Sequence, residues 1–418
     1  MAFRFVHTAD LHLDSPLRSL ALRDAELADA VAAATRTAFT RIVDLCLAET
    51  VDALLIAGDL YDGANTSMKT AAFLASELRR LPPEIHVFIL KGNHDATSRI
   101  TDRLDLPSNV RTFDGRGQTH EIESRDGDAV AVHGVSFREP HLTESLLPKY
   151  KPPQASAINV GLMHTSLDGA AGHDPYAPVS AADLAARGYA YWALGHIHKR
   201  SVVRQDGAVI VMPGIPQGRH VNEDGPKSVT LASLGADGVV DLEERFVAPA
   251  EFRRLDIDLG PSVTDLNGAI KATEAALAEA RRNSKAADLI VRLTLRPTSD
   301  FGWRLRREAE QFEELARIAA RGQDAWIESI EIAAAADGAR EDLGLPDLAA
   351  ELRSVLDDPA FAVERDRIAG GLTTFLAGDG DLTLLLGNDA DMESQTIKAL
   401  AEAGVADAIV RLSQTEAD

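Results

Sequence analysis

Short apolar runs that alternate with helical patterns are the feature that most constrains the fold of this chain. Within residues 1–247 several runs are apolar on both faces, so they should form strands in sheets that are covered on both sides. Helical periodicity appears at 24–49 and 68–80, and a hairpin is expected around Asp206-Gly207. The pattern predicts an α/β domain over 1–247. Its strands are predicted at 3–8, 53–58, 86–90, 129–135, 158–164 and 189–195.

Two further regions follow this domain. The apolar pattern of residues 251–335 predicts a small α+β module with the order strand, helix, strand, helix, strand. Its strands are expected at 252–258, 288–295 and 325–333, and its helices at 263–282 and 302–320. The last region, 340–418, is acidic and mainly helical by pattern. It is interpreted either as an interaction tail or as a solvated helical subdomain that packs on its own chain.

The negative charge of the chain is concentrated in that last region. Residues 341–418 hold 17 Asp or Glu and 5 Lys or Arg, a net charge of −12 out of −22 for the whole chain. The remainder could therefore still present a local positive surface to a polyanion. No apolar run is long enough to cross a bilayer, and the N-terminus lacks the pattern of a secretory signal. No membrane association is therefore expected. Because Cys46 is the single cysteine, a reducing cytoplasm is expected as the location.

Polar residues with metal-binding side chains stand at the ends of the predicted strands. In open α/β sheets the carboxyl ends of strands gather along one edge, where ligands bind, so positions far apart in sequence should converge. Singly, each of these residues would more often be structural, but five such motifs in order are not explained by packing. They are Asp10 and His12 in "HTADLHLDS", Asp59 and Asp62 in "AGDLYDG", Asn93 and His94 in "LKGNHDA", His164 in "GLMHTSL", and His196 and His198 in "ALGHIHKR".

The types of residue in this set indicate the kind of metal site. Asp, Asn and His without a thiolate suit manganese, iron or zinc. So many ligands exceed the needs of one tetrahedral ion, and they fit two divalent ions about 4 Å apart that share a carboxylate, as in phosphoryl hydrolysis. Gly58, Gly92 and Gly195 precede ligands at strand ends, where they would let the backbone turn sharply. His7 and His133 lie within strand runs and are expected in the core.

The order of these motifs resembles that of the calcineurin-like metallophosphoesterase superfamily. The resemblance implies a four-layer α/β/β/α sandwich with two metal ions. It implies that one ion is held by Asp10, His12 and His198, and the other by Asn93, His164 and His196. Asp59 would bridge both ions. His94 would not be a ligand, but would protonate the leaving oxygen or stabilise the charge of the transition state, with Asp62 fixing its tautomer. Some double-strand-break nucleases of the superfamily carry a histidine at the position of Asp62, so the chain departs from those members.

The chain is also similar, over most of its length, to bacterial DNA-repair exonucleases of the SbcD and YhaO kind. The segment "MPGIPQGRHVNEDGPKSVTL" at 212–231 carries part of this similarity, and the α+β module occupies the place of a DNA-capping domain. The similarity implies manganese-dependent cleavage of DNA by an exonuclease or endonuclease subunit. The implied partner is an SMC-like ATPase, for which the acidic region could be the docking segment, and a homodimer is a further expectation. Arg219 and His220 are expected to contact phosphate or a DNA strand near the metals, or else to pack a hairpin.

Two other functions stay open at this point. A metallophosphatase or phosphodiesterase acting on small nucleotides or phosphoproteins would share the metal site but not the substrate, and the acidic balance of the chain favours it mildly. A non-catalytic scaffold that serves an ATPase would share only the fold. The intact set of predicted ligands argues against the scaffold, because a scaffold does not need every ligand.

Overall fold

A computed structural model of the protein describes most of the first 333 residues. The described residues are 2–15, 25–62, 67–98, 105–169, 176–235 and 237–333, with the short pieces 354–355, 358–364, 366–367 and 404. Nearly all of the acidic region predicted at 340–418 lies outside them. The described part forms two compact units, one mainly of residues 28–252 with the N-terminal strand, the other mainly of 253–284 and 288–333.

The first unit contains two six-stranded sheets. The first sheet has the order β12-β11-β1-β2-β3-β4, in which β1 to β4 are parallel and β11 and β12 are antiparallel to their neighbours. The second has the order β5-β6-β7-β8-β10-β9, in which only the edge strands β5 and β9 pair antiparallel. The strands are β1 (Ala2–Thr8), β2 (Ala53–Ala57), β3 (His86–Leu90), β4 (Val110–Thr112), β5 (Gln118–Glu123), β6 (Ala129–Gly134), β7 (Ile158–His164), β8 (Tyr191–Gly195), β9 (Ser201–Gln205), β10 (Ala208–Met212), β11 (Ser228–Gly235) and β12 (Val240–Phe246).

The two sheets pack face to face and each carries helices on its outer side. Their inner faces form one apolar cluster, to which the first sheet contributes Phe5 and Leu55 and the second Val160 and Tyr191. Helices α1 (Ala25–Ala48) and α2 (Met68–Leu78) cover the outer face of the first sheet, and α3 (Ala181–Ala186) lies against that of the second. Two 3₁₀ turns, Leu147–Lys149 and Val221–Glu223, lie in the connections.

This arrangement confirms the predicted four-layer α/β/β/α sandwich and explains the sequence pattern. Each central strand is apolar on both faces because one face meets the other sheet and the other meets a helix. In β1, for example, Phe5 belongs to the cluster between the sheets and Val6 to the cluster under the helices. The expected hairpin is present between β9 and β10, with Asp206 and Gly207 both at positive φ in its turn.

The second unit is a three-stranded sheet with helices. The sheet has the order β13-β14-β15, formed by β13 (Ala250–Leu259), β14 (Asp288–Pro297) and β15 (Ala325–Ile332). Its helices are α4 (Leu266–Asn283), α5 (Ser299–Arg307) and α6 (Ala309–Arg321), whose apolar sides share one cluster with the strands. The prediction of a single helix at 302–320 is wrong. Glu308, with φ −101° and ψ 18°, ends α5 and caps α6, so two helices occupy that stretch.

Candidate metal centre

The residues singled out by the sequence meet at one edge of the two sheets in the first unit. Strands β1, β2 and β3 run parallel, and so do β7 and β8, so the carboxyl ends within each sheet lie at one edge. The loops that follow these strands bring the side chains together. In chain order they are Asp10 and His12 after β1, Asp59 after β2, Asn93 after β3, His164 at the end of β7, and His196 and His198 after β8.

A first group consists of Asp10, His12 and His198. Each residue offers one possible ligand atom, and these three atoms all lie within 4.8 Å of one another. The Nε2 atoms of His12 and His198 are 3.3 Å apart, and Nε2 of His198 is 3.9 Å from Oδ1 of Asp10. These are the three residues that the family resemblance implied for one ion.

A second group surrounds His164. Its Nε2 lies 2.9 Å from Oδ1 of Asn93 and 3.4 Å from Oδ2 of Asp59. Asp59 Oδ2 is also 3.8 Å from Nε2 of His12, so this carboxylate lies between the two groups, as expected for a bridging ligand. The ring of His196 lies 5.2 Å from that of His164. Its backbone N–H donates to Asp10 at 3.0 Å, which ties the two groups together.

The backbone at four of these residues adopts an unfavourable conformation. The φ values are 53° at Asp10, 41° at His12, 52° at Asp59 and 106° at His196. Residues other than glycine rarely adopt such positive values. Such conformations cost on the order of 1–3 kcal/mol each and persist only where surrounding contacts enforce them. Four of them among seven candidate ligands indicate that these loops are shaped by something other than stability.

Two of the three glycines singled out by the sequence, Gly58 and Gly92, make room for candidate ligands. A Cβ on Gly92 would overlap the Oδ1 atom and the backbone nitrogen of Asp59. A Cβ on Gly58 would lie 2.5 Å from Nδ1 of His164, and Gly58 itself has φ +97°. Both positions therefore require glycine, since any side chain would displace a candidate ligand.

A buried carboxylate joins the loops after β2 and β3. Asp95 is 1% exposed and accepts hydrogen bonds from the backbone N–H groups of Leu60, Tyr61 and Gly92 at 3.0–3.1 Å. Burial and repulsion by Asp59 raise the pKa of Asp95 to about 7. Asp95 thus holds the two loops in register without joining the ligand groups, which explains its place in the "GNHD" motif.

The buried carboxylates of the centre stabilise a positive charge on His164. Burial alone would lower the pKa of His164, but the attraction of Asp59 and Asp10 outweighs it and raises the pKa to about 9. All three side chains are at most 2% exposed. A site that stabilises a fully buried cation in this way is suited to a divalent ion.

The hydrogen bonds of two histidines fix which nitrogen faces the centre. Nδ1 of His164 lies 2.9 Å from the carbonyl oxygen of Ala57, which can only accept, so Nδ1 carries the proton. Nδ1 of His198 likewise donates to Oε1 of Glu223 at 2.7 Å. In the neutral ring each Nε2 offers its lone pair toward the group, the arrangement that metal-binding histidines adopt. A bound ion would take the place of the proton that the raised pKa of His164 otherwise keeps on Nε2. Together with the carboxylate and amide oxygens, these nitrogens form a donor set that fits manganese, iron or zinc.

His94 stands beside the first group and contacts Asp62. Its Nδ1 lies 2.9 Å from Oδ1 of Asp62, and its ring is 5.1 Å from that of His12. Ser15 Oγ donates to the other oxygen of Asp62 at 2.5 Å. The hydrogen bond to Asp62 raises the pKa of His94 and lowers that of Asp62. With 42% of its side chain exposed, His94 is the accessible member of the pair.

Glu223 is a residue that sequence reasoning missed. Its side chain, 5% exposed, accepts from His198 and, at 2.8 Å each, from the backbone N–H and Nη2 of Arg219. Although burial would raise the pKa of Glu223, these donors outweigh it and lower the pKa. Arg219 Nη1 in turn lies 3.7 Å from Oδ2 of Asp62. The Arg219–Glu223 pair therefore connects a candidate ligand to the His94–Asp62 pair.

The two residues expected to contact substrate are placed differently. The side chain of Arg219 is 12% exposed and is held by Glu223, next to the candidate ligands. That of His220 is 50% exposed, and its Nδ1 accepts from the N–H of Asn222, capping the turn Val221–Glu223. The only sequence signal for Glu223 was its place four residues after Arg219 in the segment already singled out.

Comparison with known proteins places this centre in a family. A model of the calcineurin-like phosphoesterases matches residues 3–200, and one of the YhaO middle domain matches residues 252–335. The metallophosphoesterase YhaO of Bacillus subtilis is 30% identical over 297 residues, covering 71% of this chain and 72% of YhaO. The chain belongs to the calcineurin-like phosphoesterases. This confirms the family resemblance, and phosphoester hydrolysis is the activity that goes with it.

Two further relatives of this calcineurin-like phosphoesterase carry names that refer to DNA repair or to a nuclease. The DNA double-strand break repair protein Mre11 of Methanopyrus kandleri is 24% identical over 229 residues, covering 51% of this chain and 49% of Mre11. The SbcD component of the SbcCD nuclease of Rhodobacter capsulatus is 35% identical over 100 residues, covering 23% of this chain and 22% of that component. The phosphoesterase thus spans about half of that Mre11. Among its described residues, no helix combines the length and apolar character needed to span a membrane.

Proposed function

We propose that the protein is a dimetal phosphodiesterase that cleaves DNA. The observation that carries the proposal is the position of Asp59 between two groups of candidate ligands, with the partly exposed His94 beside them. One ion would be held by three residues at the ends of β1 and β8, the other by three at the ends of β3, β7 and β8, and Asp59 would serve both. The two sets are Asp10, His12 and His198, and Asn93, His164 and His196.

The metal ions would supply the Lewis acidity that phosphodiester hydrolysis needs, by polarising the phosphate oxygens. Manganese is the proposed metal, and the same donor set accepts iron or zinc. The chain's own contribution is to hold the ligand loops in a strained but fixed geometry. Asp95 provides this by binding three backbone N–H groups of the loops after β2 and β3. Positioning of this kind is a major part of the barrier reduction in phosphoryl transfer.

His94 is proposed as the proton donor. Since Asp62 accepts from Nδ1, a proton on Nε2 is present only in the imidazolium form, and this is the proton that His94 can donate. As the oxygen of a water molecule bonds to phosphorus and the P–O bond to the leaving group breaks, that proton passes from Nε2 to the leaving oxygen. Asp62 stabilises the orientation of the ring throughout. The raised pKa of His94 keeps it protonated nearer to neutral pH than an isolated histidine.

DNA is the proposed substrate because of the relatives and the domain plan. One relative is named a DNA double-strand break repair protein and another belongs to a nuclease. We propose that residues 1–247 form the nuclease domain and 251–335 a capping domain. The further proposals are an SMC-like ATPase as partner, with 340–418 as its docking region, a homodimer, and a cytoplasmic role in DNA repair.

Incubation of the purified chain with Mn²⁺ and end-labelled duplex DNA, beside bis(p-nitrophenyl) phosphate, tests the proposal. Cleavage of both substrates is expected, with the partner ATPase increasing DNA cleavage. If the small ester is cleaved but DNA is not, even with the ATPase present, the substrate is a small nucleotide or a phosphoprotein. If neither is cleaved while Mn²⁺ binds, a scaffold that has kept its metals replaces the enzyme proposal.

A further inference from the structure

A cleft adjoins the candidate metal centre in the first unit. It has a volume of about 710 Å³, and His198 and Arg219 line it at the end next to the centre. Lys227, Ser228 and Glu244 also line it. Its volume falls within the range of roughly 300–1,000 Å³ that is typical of sites for small ligands.

The cleft is built on the same backbone that carries a candidate ligand. The N–H of Ile215 donates to the carbonyl oxygen of His198 at 3.2 Å. Gly214, at φ +78°, packs so closely that a Cβ would lie 2.8 Å from that same oxygen. The wall formed by residues 213–215 is therefore fixed relative to the metal ligand. A group bound in the cleft would be held at a defined position next to the reacting phosphate.

The charges that line the cleft leave an excess of cations. Glu223 is occupied by His198 and Arg219. Glu244 accepts from Ser228 Oγ at 2.6 Å, and Arg200 Nε lies 3.9 Å from it. The exposed carboxylate of Asp224 stands at the rim.

Two lysines are among the cations that line the cleft. Lys227 Nζ donates to the backbone carbonyl of Asp224 at 2.7 Å. Burial lowers the pKa of Lys227, against the attraction of Glu223, Asp224 and Glu251. Lys199 also lines the cleft and is exposed. Lys227 is only partly exposed, so a bound anion would meet a partly dehydrated ammonium group, where electrostatic attraction is stronger than in water.

We infer that this cleft binds the nucleotide that flanks the scissile phosphate, with Lys227 contacting the next phosphate along. The inference rests on the proposed function and specifies its substrate class, a phosphodiester with a second phosphate on a neighbouring sugar. Pro226, which is exposed, supplies apolar surface among the lining residues, which suits a sugar or base between two phosphates. The cleft would favour nucleic acid fragments over isolated phosphomonoesters.

A pair of chromogenic substrates tests this inference. One is the p-nitrophenyl ester of thymidine 5′-phosphate, and the other carries an additional 3′-phosphate. For the unaltered protein with Mn²⁺, the second phosphate should lower KM by about tenfold, the scale of one charge-assisted contact. Lys227→Met should abolish that advantage, so that the two esters have similar KM values. Lys149→Met is the matched control, because Lys149 Nζ also lies near a backbone carbonyl, that of Gly115 at 3.5 Å.

A binding measurement separates the cleft from the reaction. Thymidine 3′,5′-bisphosphate is titrated into the full chain by calorimetry in the presence of EDTA. The unaltered protein and Lys149→Met should bind it, and Lys227→Met about tenfold more weakly. Equal affinity for both variants, or no binding at all, would overturn the inference. If binding depends on Lys227 but no diester is ever hydrolysed, the proposed function fails while the cleft assignment stands.

Discussion

Glu223 offers the sharpest test of how this centre is held together. The perturbation is Glu223→Gln, which keeps the size of the side chain and removes its charge. In the structure the carboxylate accepts from Nδ1 of His198 at 2.7 Å and from two donors of Arg219 at 2.8 Å. A carboxamide has one accepting oxygen, and its NH₂ group would face a donor. Either His198 or Arg219 therefore loses its partner.

The expected magnitude follows from those contacts. Loss of a partner that orients a metal-bound histidine costs about 10- to 100-fold in metal affinity. At 1.4 kcal/mol per factor of ten, this corresponds to about 1.4–2.8 kcal/mol. The Arg219–Glu223 pair is 12% and 5% exposed, so breaking it should also destabilise the fold, by up to about 3–5 kcal/mol for a fully buried pair.

Calorimetric titration of Mn²⁺ into the metal-depleted variant measures the first effect, and urea unfolding the second. Glu244→Gln is the control, because its side chain is 41% exposed and lies in the same region without contacting a candidate ligand. It should bind Mn²⁺ as the unaltered protein does. A folded Glu223→Gln protein with unchanged Mn²⁺ affinity would refute the idea that Glu223 sets the orientation of His198. If Glu223→Gln lowers only the free energy of unfolding in urea, Glu223 has a purely structural role.

Three further predictions concern His94, the shared carboxylate Asp59 and the buried histidine His7. His94→Ala should keep its bound metal and lose turnover by about 10²–10⁴-fold, as metal analysis beside diester kinetics would show; loss of metal instead would mean that His94 is a ligand. Asp59→Asn should lose most of the rise in melting temperature that Mn²⁺ gives, since binding at 100 times Kd adds about 2.7 kcal/mol of stability; an undiminished rise would exclude Asp59 as the shared ligand. His7, whose pKa burial lowers to about 3, stays neutral when folded, so the unfolded chain gains the proton below about pH 6.5. Stability should therefore fall by about 2 kcal/mol from this residue between pH 7 and 5, and urea unfolding of His7→Gln should show a correspondingly smaller fall; equal falls would contradict the assignment.

The parts of the site that could be predicted are those that depend on strand ends. Asp10, Asp59 and His164 each follow or end an apolar run, and parallel pairing then forces them to one edge whatever the details of the loops. The contact between His94 and Asp62 was expected from the family resemblance, and the structure has it at 2.9 Å. The strand-end residues could be predicted because the apolar runs of buried strands are visible in the sequence, whereas this contact came from the resemblance alone.

The parts that could not be predicted depend on contacts between irregular segments. Glu223 meets His198 only because a 3₁₀ turn, capped by His220, brings it back toward the end of β8. No periodicity records such a turn. The break at Glu308 was missed for a related reason, since α5 and α6 both continue the same apolar pattern and only the backbone angles separate them.

The backbone at the centre shows why function and stability can be separated here. Asp10, His12 and Asp59 adopt left-handed backbone angles. What holds them is a set of bonds between loops: the N–H of Asp10 donates to Gly58 and that of His12 to Asp59, while Asp95 secures the neighbouring loop. The strain is thus offset by hydrogen bonds between the loops that carry the candidate ligands.

The acidity of the first unit looks different in the light of this geometry. Residues 1–250 carry 32 Asp or Glu and 24 Lys or Arg, an apparent obstacle to a polyanionic substrate. Two of those carboxylates, Asp10 and Asp59, lie buried within the candidate ligand groups, and Asp62 lies beside His94. Two divalent ions would bring four positive charges to this spot and reverse its sign. On the proposed function, substrate affinity should therefore depend on metal loading more than on the net charge of the chain, because the phosphate is attracted to the ions and to the cleft beside them rather than to the surface as a whole.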